Sequence, residues 1–223
     1  MANDEYELIP GTDIWVRDIT ESFAVKFAET LEKNASILNF PRLRFPLCTG
    51  YSTKDYLEIA RGLRNGEFDV YETRDVGHFN AKFISFRNYN FFVVTHDVSI
   101  APLLSEETLI HEATHAIQDL KQWRMSPLDM EVDAHFSAAI YATHKKNGVT
   151  GEPGFVMDEF MNAAKNFDDR KRFGITPDFR RLRKQMKSNI IDHYWNMKSI
   201  FESNSQTKEE FTKNFKKRKR LDG

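Results

Sequence analysis

Two histidines four residues apart, with a glutamate beside the first, are the residues best spaced for chemistry in this chain: His111-Glu112-Ala113-Thr114-His115. An α-helix turns once in 3.6 residues, so in a helix His111 and His115 stand one above the other on one face. Two imidazoles so placed can bind one Zn2+ through ring nitrogens at about 2.0–2.1 Å. Glu112 falls about 100° further round. That makes it a poor third ligand on the same face, but lets it reach a water that the metal activates, to serve as general base and then as proton shuttle. Thr108-Leu109-Ile110 leads into the motif and Ala116-Ile117 follows it. The two inner residues, Ala113 and Thr114, are uncharged, as a helix running through a core requires, because burying a charge is costly.

A catalytic zinc takes three protein ligands and keeps a fourth position open. The next helical stretch offers Glu131-Val132-Asp133-Ala134-His135. Glu131 and His135 share a face by their spacing, whereas Asp133 points elsewhere. Glu131 is the favoured third ligand.

The run from Thr108 to Ile117 resembles the extended motif of the zincin metallopeptidases. Glu131, followed by Ala134 and a polar residue at 135, is similar to the second motif of the gluzincin branch. That resemblance implies Glu131 on the following helix as third zinc ligand. In that branch a carboxylate four residues later supports a ligating His from behind. His135 stands at that place here, which makes it a rival ligand. The resemblance covers about 55 residues, from Ala81 to near Ser137, and does not reach the basic C-terminal third. It further implies that the strand before the active-site helix, taken as Phe91–Thr95, lies along a cleft and pairs with an extended peptide. A zincin also has a donor for the tetrahedral oxyanion, often a Tyr or His on a later helix. Tyr141, His144, His193 and Tyr194 are the candidates, Tyr141 and Tyr194 foremost, and His135 is a further candidate either for this role or for support of a ligand from behind. Ile190, Ile191, Tyr194 and Trp195 also read as plain core.

These groups need a frame. Phe23, Phe27 and Leu31 recur at helical spacing and predict a helix over 20–34. Pro41 and Pro46 interrupt, Ser52-Thr53 opens a helix over 54–63, and Asn65-Gly66 marks a turn. Ala81–Arg87 and Phe91–Thr95 read as strands about a tight turn at Asn88-Tyr89-Asn90, with a third strand in Glu67–Thr73. Ser105 caps the active-site helix, which runs from Glu106 to about Gln122, with Glu106 and Glu107 favourable to its dipole. Ser126-Pro127 starts the next helix, which extends to about His144. Helices follow near 155–167 and 178–202. A small, mostly antiparallel sheet followed by many helices is an α+β order. The expected organisation is a catalytic region over 1–160, a helical part packed on it over 161–212, and a flexible basic tail over 213–223.

Composition is that of an ordinary globular chain, with 40% hydrophobic and 29% charged residues and a net charge of -1. No global field draws it to nucleic acid or membrane. The sum hides an asymmetry: residues 161–223 hold 17 Lys+Arg against 8 Asp+Glu. The basic run Lys213–Arg220 is the one feature that suggests nucleic acid, and a solvated tail is its commoner use. Cys48 is the only cysteine, so no intrachain disulfide forms; a lone Cys usually packs as a small hydrophobe. His78 and His96 lack metal-ligand spacing. No signal peptide or membrane span is visible, so the expected location is the cytoplasm, or outside the cell by a route without a cleavable signal. Three readings compete. The first is a zinc peptidase acting on protein or peptide. The second is a zinc hydrolase of another substrate. The third is a non-catalytic zinc-binding or interaction protein whose basic C-terminal part binds a partner. Glu112 favours an enzyme, since a structural zinc has no need of a base.

Overall fold

A helix over Thr20–Asn34 (α1) forms where the apolar spacing predicts one, and Phe23, Phe27 and Leu31 are all buried on it. The computed structural model describes residues 6–9, 14–40, 50–74, 80–86, 89–100, 106–145, 158–172, 181, 183–192 and 208–216. By compactness the chain divides into two units, one of residues 1–36 and 52–119, the other of 37–51 and 120–223.

The first unit is built on a five-stranded mixed sheet. Its strands are β1 (Glu7–Leu8), β2 (Trp15–Asp18), β3 (Asp69–Thr73), β4 (Ala81–Phe86) and β5 (Tyr89–Thr95), in the order β1-β2-β3-β5-β4. β3 and β5 run parallel and the other three pairings are antiparallel. One face carries Val70, Phe92 and Phe83. The Phe92 ring packs edge-on against Phe27 of α1 at 4.9 Å and tilted against Phe83 at 5.1 Å. The other face holds a smaller cluster of Val16, Phe91 and Val93, backed by Ile9, Ile14, Tyr71 and Ile84. α2 (Thr53–Arg64) packs beside α1; the Asp55 carboxylate at its start accepts the Ser52 N–H at 2.8 Å. Short α3 (His96–Ile100) leaves β5, and α4 (Glu106–Leu120) follows. Glu72 of β3 ties several of these parts together. Its buried carboxylate accepts from Tyr6, Arg17, His96 and Ser99. Burial alone would raise its pKa, but the hydrogen bonds from Ser99, Tyr6 and His96 and the charge of Arg17 hold it at about 2.

The second unit holds the described helices α5 (Pro127–His144), α6 (Asp158–Arg172), α7 (residues 183–192) and α8 (Lys208–Lys216). A bridge between Phe40 and Tyr51 stacks their rings at 4.7 Å, and both rings enter its core: Phe40 meets Phe136 of α5, and Tyr51 meets Trp123. Phe167 of α6 packs on Phe136 from another side. Ser126 caps α5 as its sequence predicts, its Oγ accepting the Asp129 N–H at 3.1 Å, with Pro127 at the first helical position.

The class is α+β, as the element order predicts. Details differ. β1 and β2 had no sequence signal of their own, being two and four residues long. Tyr89 and Asn90 belong to β5 and not to the turn, because Phe86 pairs directly with Tyr89. β5 is an interior strand, with β3 on one side and β4 on the other. The expectation that Phe91–Thr95 pairs with a peptide therefore fails: from Phe91 to Val94 it is paired along both edges. Its continuous apolar run, buried on both faces, is the mark of a central strand. α8 carries helix four residues into the stretch expected to be tail; Cys48, His78 and residues 217–223 lie outside the described residues. Among the described residues no helix is long and apolar enough to cross a membrane.

Candidate metal centre

α4 is buried over most of its circumference, its apolar residues Leu109, Ile110, Ala113, Ala116 and Ile117 forming the inner stripe. That leaves its polar residues with few places to go, and His111, Glu112, Thr114, His115 and Gln118 each have a specific partner. His111 and His115 lie one turn apart, as their spacing requires, with their Nε2 atoms facing each other at 3.1 Å. Two nitrogens bound to one tetrahedral zinc at 2.0–2.1 Å stand roughly 3.3 Å apart. The pair thus fits a shared cation with almost no adjustment. His111 is buried and His115 half-buried, so a cation held here would be largely shielded from water.

Glu112 is buried beside them, with its Oε1 3.9 Å from Nε2 of His111. Its other oxygen accepts the backbone N–H of Phe83 on β4 at 2.7 Å. Phe83 stands opposite Phe92 at a position whose N–H points away from β5, out of the sheet. Among the described residues β4 is the last strand on that side. The carboxylate is therefore oriented by a fixed backbone donor, and a charge-assisted bond of this kind is a strong one.

Two further contacts set the helix. Thr114, between the two histidines, is fully buried; its Oγ1 donates to the Ile110 carbonyl at 2.8 Å and lies 2.9 Å from the Tyr56 hydroxyl of α2. His115 Nδ1 lies 2.9 Å from Oε1 of Gln118, whose side chain is buried one turn further on. Neither Tyr56 nor Gln118 is evident as a site residue from sequence. Gln118 was findable in principle, since i,i+3 spacing puts it on the face of His115.

On α5 the expected face also forms. Glu131 Oε2 is 3.9 Å from Nε2 of His135, which is buried with its ring 5.4 Å from that of Phe160. Asp133 does point elsewhere: it is buried and accepts the Tyr51 hydroxyl at 2.9 Å. Tyr141 is buried in the core, with the Lys145 ammonium 5.0 Å above its ring. It stands ten residues beyond Glu131, roughly 15 Å along the helix, so α5 does not bring the two together. The His144 ring lies 3.0 Å from the Ile140 carbonyl. His193 and Tyr194 lie outside the described residues.

In comparisons with known proteins, no family model, no curated protein and no solved structure matches this chain.

Proposed function

We propose that this protein is a zinc-dependent hydrolase, most simply a peptidase, with His111 and His115 as two of the zinc ligands and Glu112 as the general base. The observation that carries the reading is the pair of imidazoles whose Nε2 atoms converge to 3.1 Å with a buried carboxylate alongside. The third ligand is assigned on the sequence pattern to Glu131, with His135 as its rival. Zinc would supply a Lewis acid that polarises a carbonyl oxygen and makes water more acidic. Glu112 would take the proton from the attacking water and hand it to the leaving amine, its carboxylate steadied by the Phe83 amide. If the substrate is an extended peptide, β4 and not β5 is the strand that has an edge to offer it.

Elemental analysis of purified protein tests the metal. About one zinc per chain is expected, and almost none in the double variant His111→Ala/His115→Ala. A double variant that keeps its full zinc sinks the site. The third ligand is read from single variants: Glu131→Ala should lose zinc and His135→Ala should retain most of it, and the reverse result transfers the role to His135.

A further inference from the structure

Histidine can present either ring nitrogen to a metal, and the choice is set by the partner of the other nitrogen. His115 has Nε2 turned towards His111 and Nδ1 turned towards Gln118 Oε1 at 2.9 Å. A carbonyl oxygen only accepts, so Nδ1 carries the proton and, in the neutral ring that a metal needs, Nε2 carries the lone pair. Gln118 is 1% exposed, on the same rigid helix, three residues on. Its side chain therefore has little freedom to leave the contact. The flexible alternative, water at Nδ1, would leave the ring able to rotate and to change tautomer.

We propose that Gln118 is a positioning residue: it locks His115 in the Nδ1–H tautomer and aims Nε2 at the zinc position. This rests on the zinc reading of the His111–His115 pair. A buried amide gives the same orientation that a carboxylate usually gives a ligating imidazole, without adding a negative charge beside a helix already holding Glu112.

Zinc affinity, measured by competition with a chromophoric chelator on the full chain, tests it. Gln118→Met keeps size but is a poor acceptor for the Nδ1–H hydrogen bond, and should weaken zinc binding by about 10- to 100-fold. Gln118→Glu can accept but not donate, and should restore wild-type affinity or exceed it. The visible spectrum of the cobalt-substituted protein should shift in the Met variant and return in the Glu variant. Ring-nitrogen NMR of the metal-free wild type needs no substitution to be informative, and should show His115 protonated at Nδ1. Equal affinity in wild type and Gln118→Met overturns the proposal. So does a Glu variant as weak as the Met variant, or a His115 ring protonated at Nε2. Should the Met variant fail to fold, the Glu variant and the nitrogen spectrum still decide. If the wild type binds no zinc, or His111→Ala binds as well as wild type, the zinc reading falls and this inference with it; a failure confined to the Gln118 variants leaves the zinc reading standing.

Discussion

α4 and α5 both carry buried polar side chains through apolar surroundings, and they satisfy them by different means. On α4 three polar groups have neutral hydrogen-bond partners: the Phe83 amide for Glu112, the Tyr56 hydroxyl for Thr114, the Gln118 carbonyl for His115. On α5 the first turn is met by cations from α7. Asp129 is buried, yet Arg183 and Lys187 reach it at 2.8 and 2.6 Å, and Ser126 adds a third donor at 2.6 Å. A carboxylate with two cations already on it is electrostatically complete. Two imidazole nitrogens 3.1 Å apart beside a carboxylate that accepts from a backbone amide attract positive charge. The contrast separates a helix end built for stability from a helix face suited to binding a cation.

The comparison breaks most visibly at Glu112. Glu112→Gln should cost about 10²–10⁴-fold in hydrolysis, the usual contribution of a general acid–base group. Zinc content and the melting temperature should stay near wild type, because the Gln carbonyl oxygen can still accept the Phe83 N–H. The assay needs a substrate, and a comparison of cleavage products generated from a complex protein mixture by wild type and variant would supply one. A zinc-loaded variant with full activity would remove Glu112 from the mechanism.

Asp129→Asn should do the opposite, lowering stability while leaving zinc affinity alone. Arg183 and Lys187 remain partly exposed, which softens the loss of their partner, so about 2–3 kcal/mol is expected by denaturant unfolding. The pH dependence follows from the same group. Burial would raise the Asp129 pKa, but hydrogen bonds from Lys187, Ser126 and Arg183 depress it from 3.8 to about 2. A depressed carboxylate stabilises the fold fully above its unfolded value and loses that contribution as pH falls through the folded one. The gap between wild type and Asp129→Asn should therefore be constant above pH 5 and shrink by about 2 kcal/mol as the pH approaches 2. A gap that widens on acidification would show that Asp129 is not the group responsible.

What was legible in the sequence divides along the same line. The α4 motif could be read because helical periodicity alone puts His111 and His115 on one face. Ser126-Pro127 could be read because capping is a local property. The partners could not. Tyr56 reaches Thr114 across 58 positions of sequence and Phe83 reaches Glu112 across 29, and no spacing rule spans such separations. Strand order was hidden for the same reason: the antiparallel β4–β5 hairpin could be read from chain order, but not that β3 pairs in parallel with β5 and leaves β4 outside. The apolar content of Phe91–Val94 did point to a central strand, and reading it as a cleft edge set the resemblance above that local signal. Asp129 carried no sequence sign of its role beyond capping, because Arg183 lies 54 positions away.

The smallest expected effect concerns how α4 is held. Thr114 and Tyr56 are both fully buried, so each hydroxyl depends on the other for part of its hydrogen bonding. Tyr56→Phe removes one oxygen and leaves Thr114 its bond to the Ile110 carbonyl, so a loss of about 1 kcal/mol is expected. Thr114→Val also takes away a partner of the Tyr56 hydroxyl, which stays in the core, and should cost somewhat more, about 1–2 kcal/mol. The double variant should cost less than the two singles together, because the second change no longer strands a polar group. Thermal or denaturant unfolding of all four proteins gives the coupling, expected at about 0.5–1.5 kcal/mol. Zinc affinity read on the same set sharpens the comparison between the helices. If this pair fixes the rotation of α4, affinity should fall modestly in Tyr56→Phe, whereas Asp129→Asn leaves it unchanged. Strict additivity would mean that the hydroxyls do not act on each other, and that α4 is held in register by its apolar stripe alone.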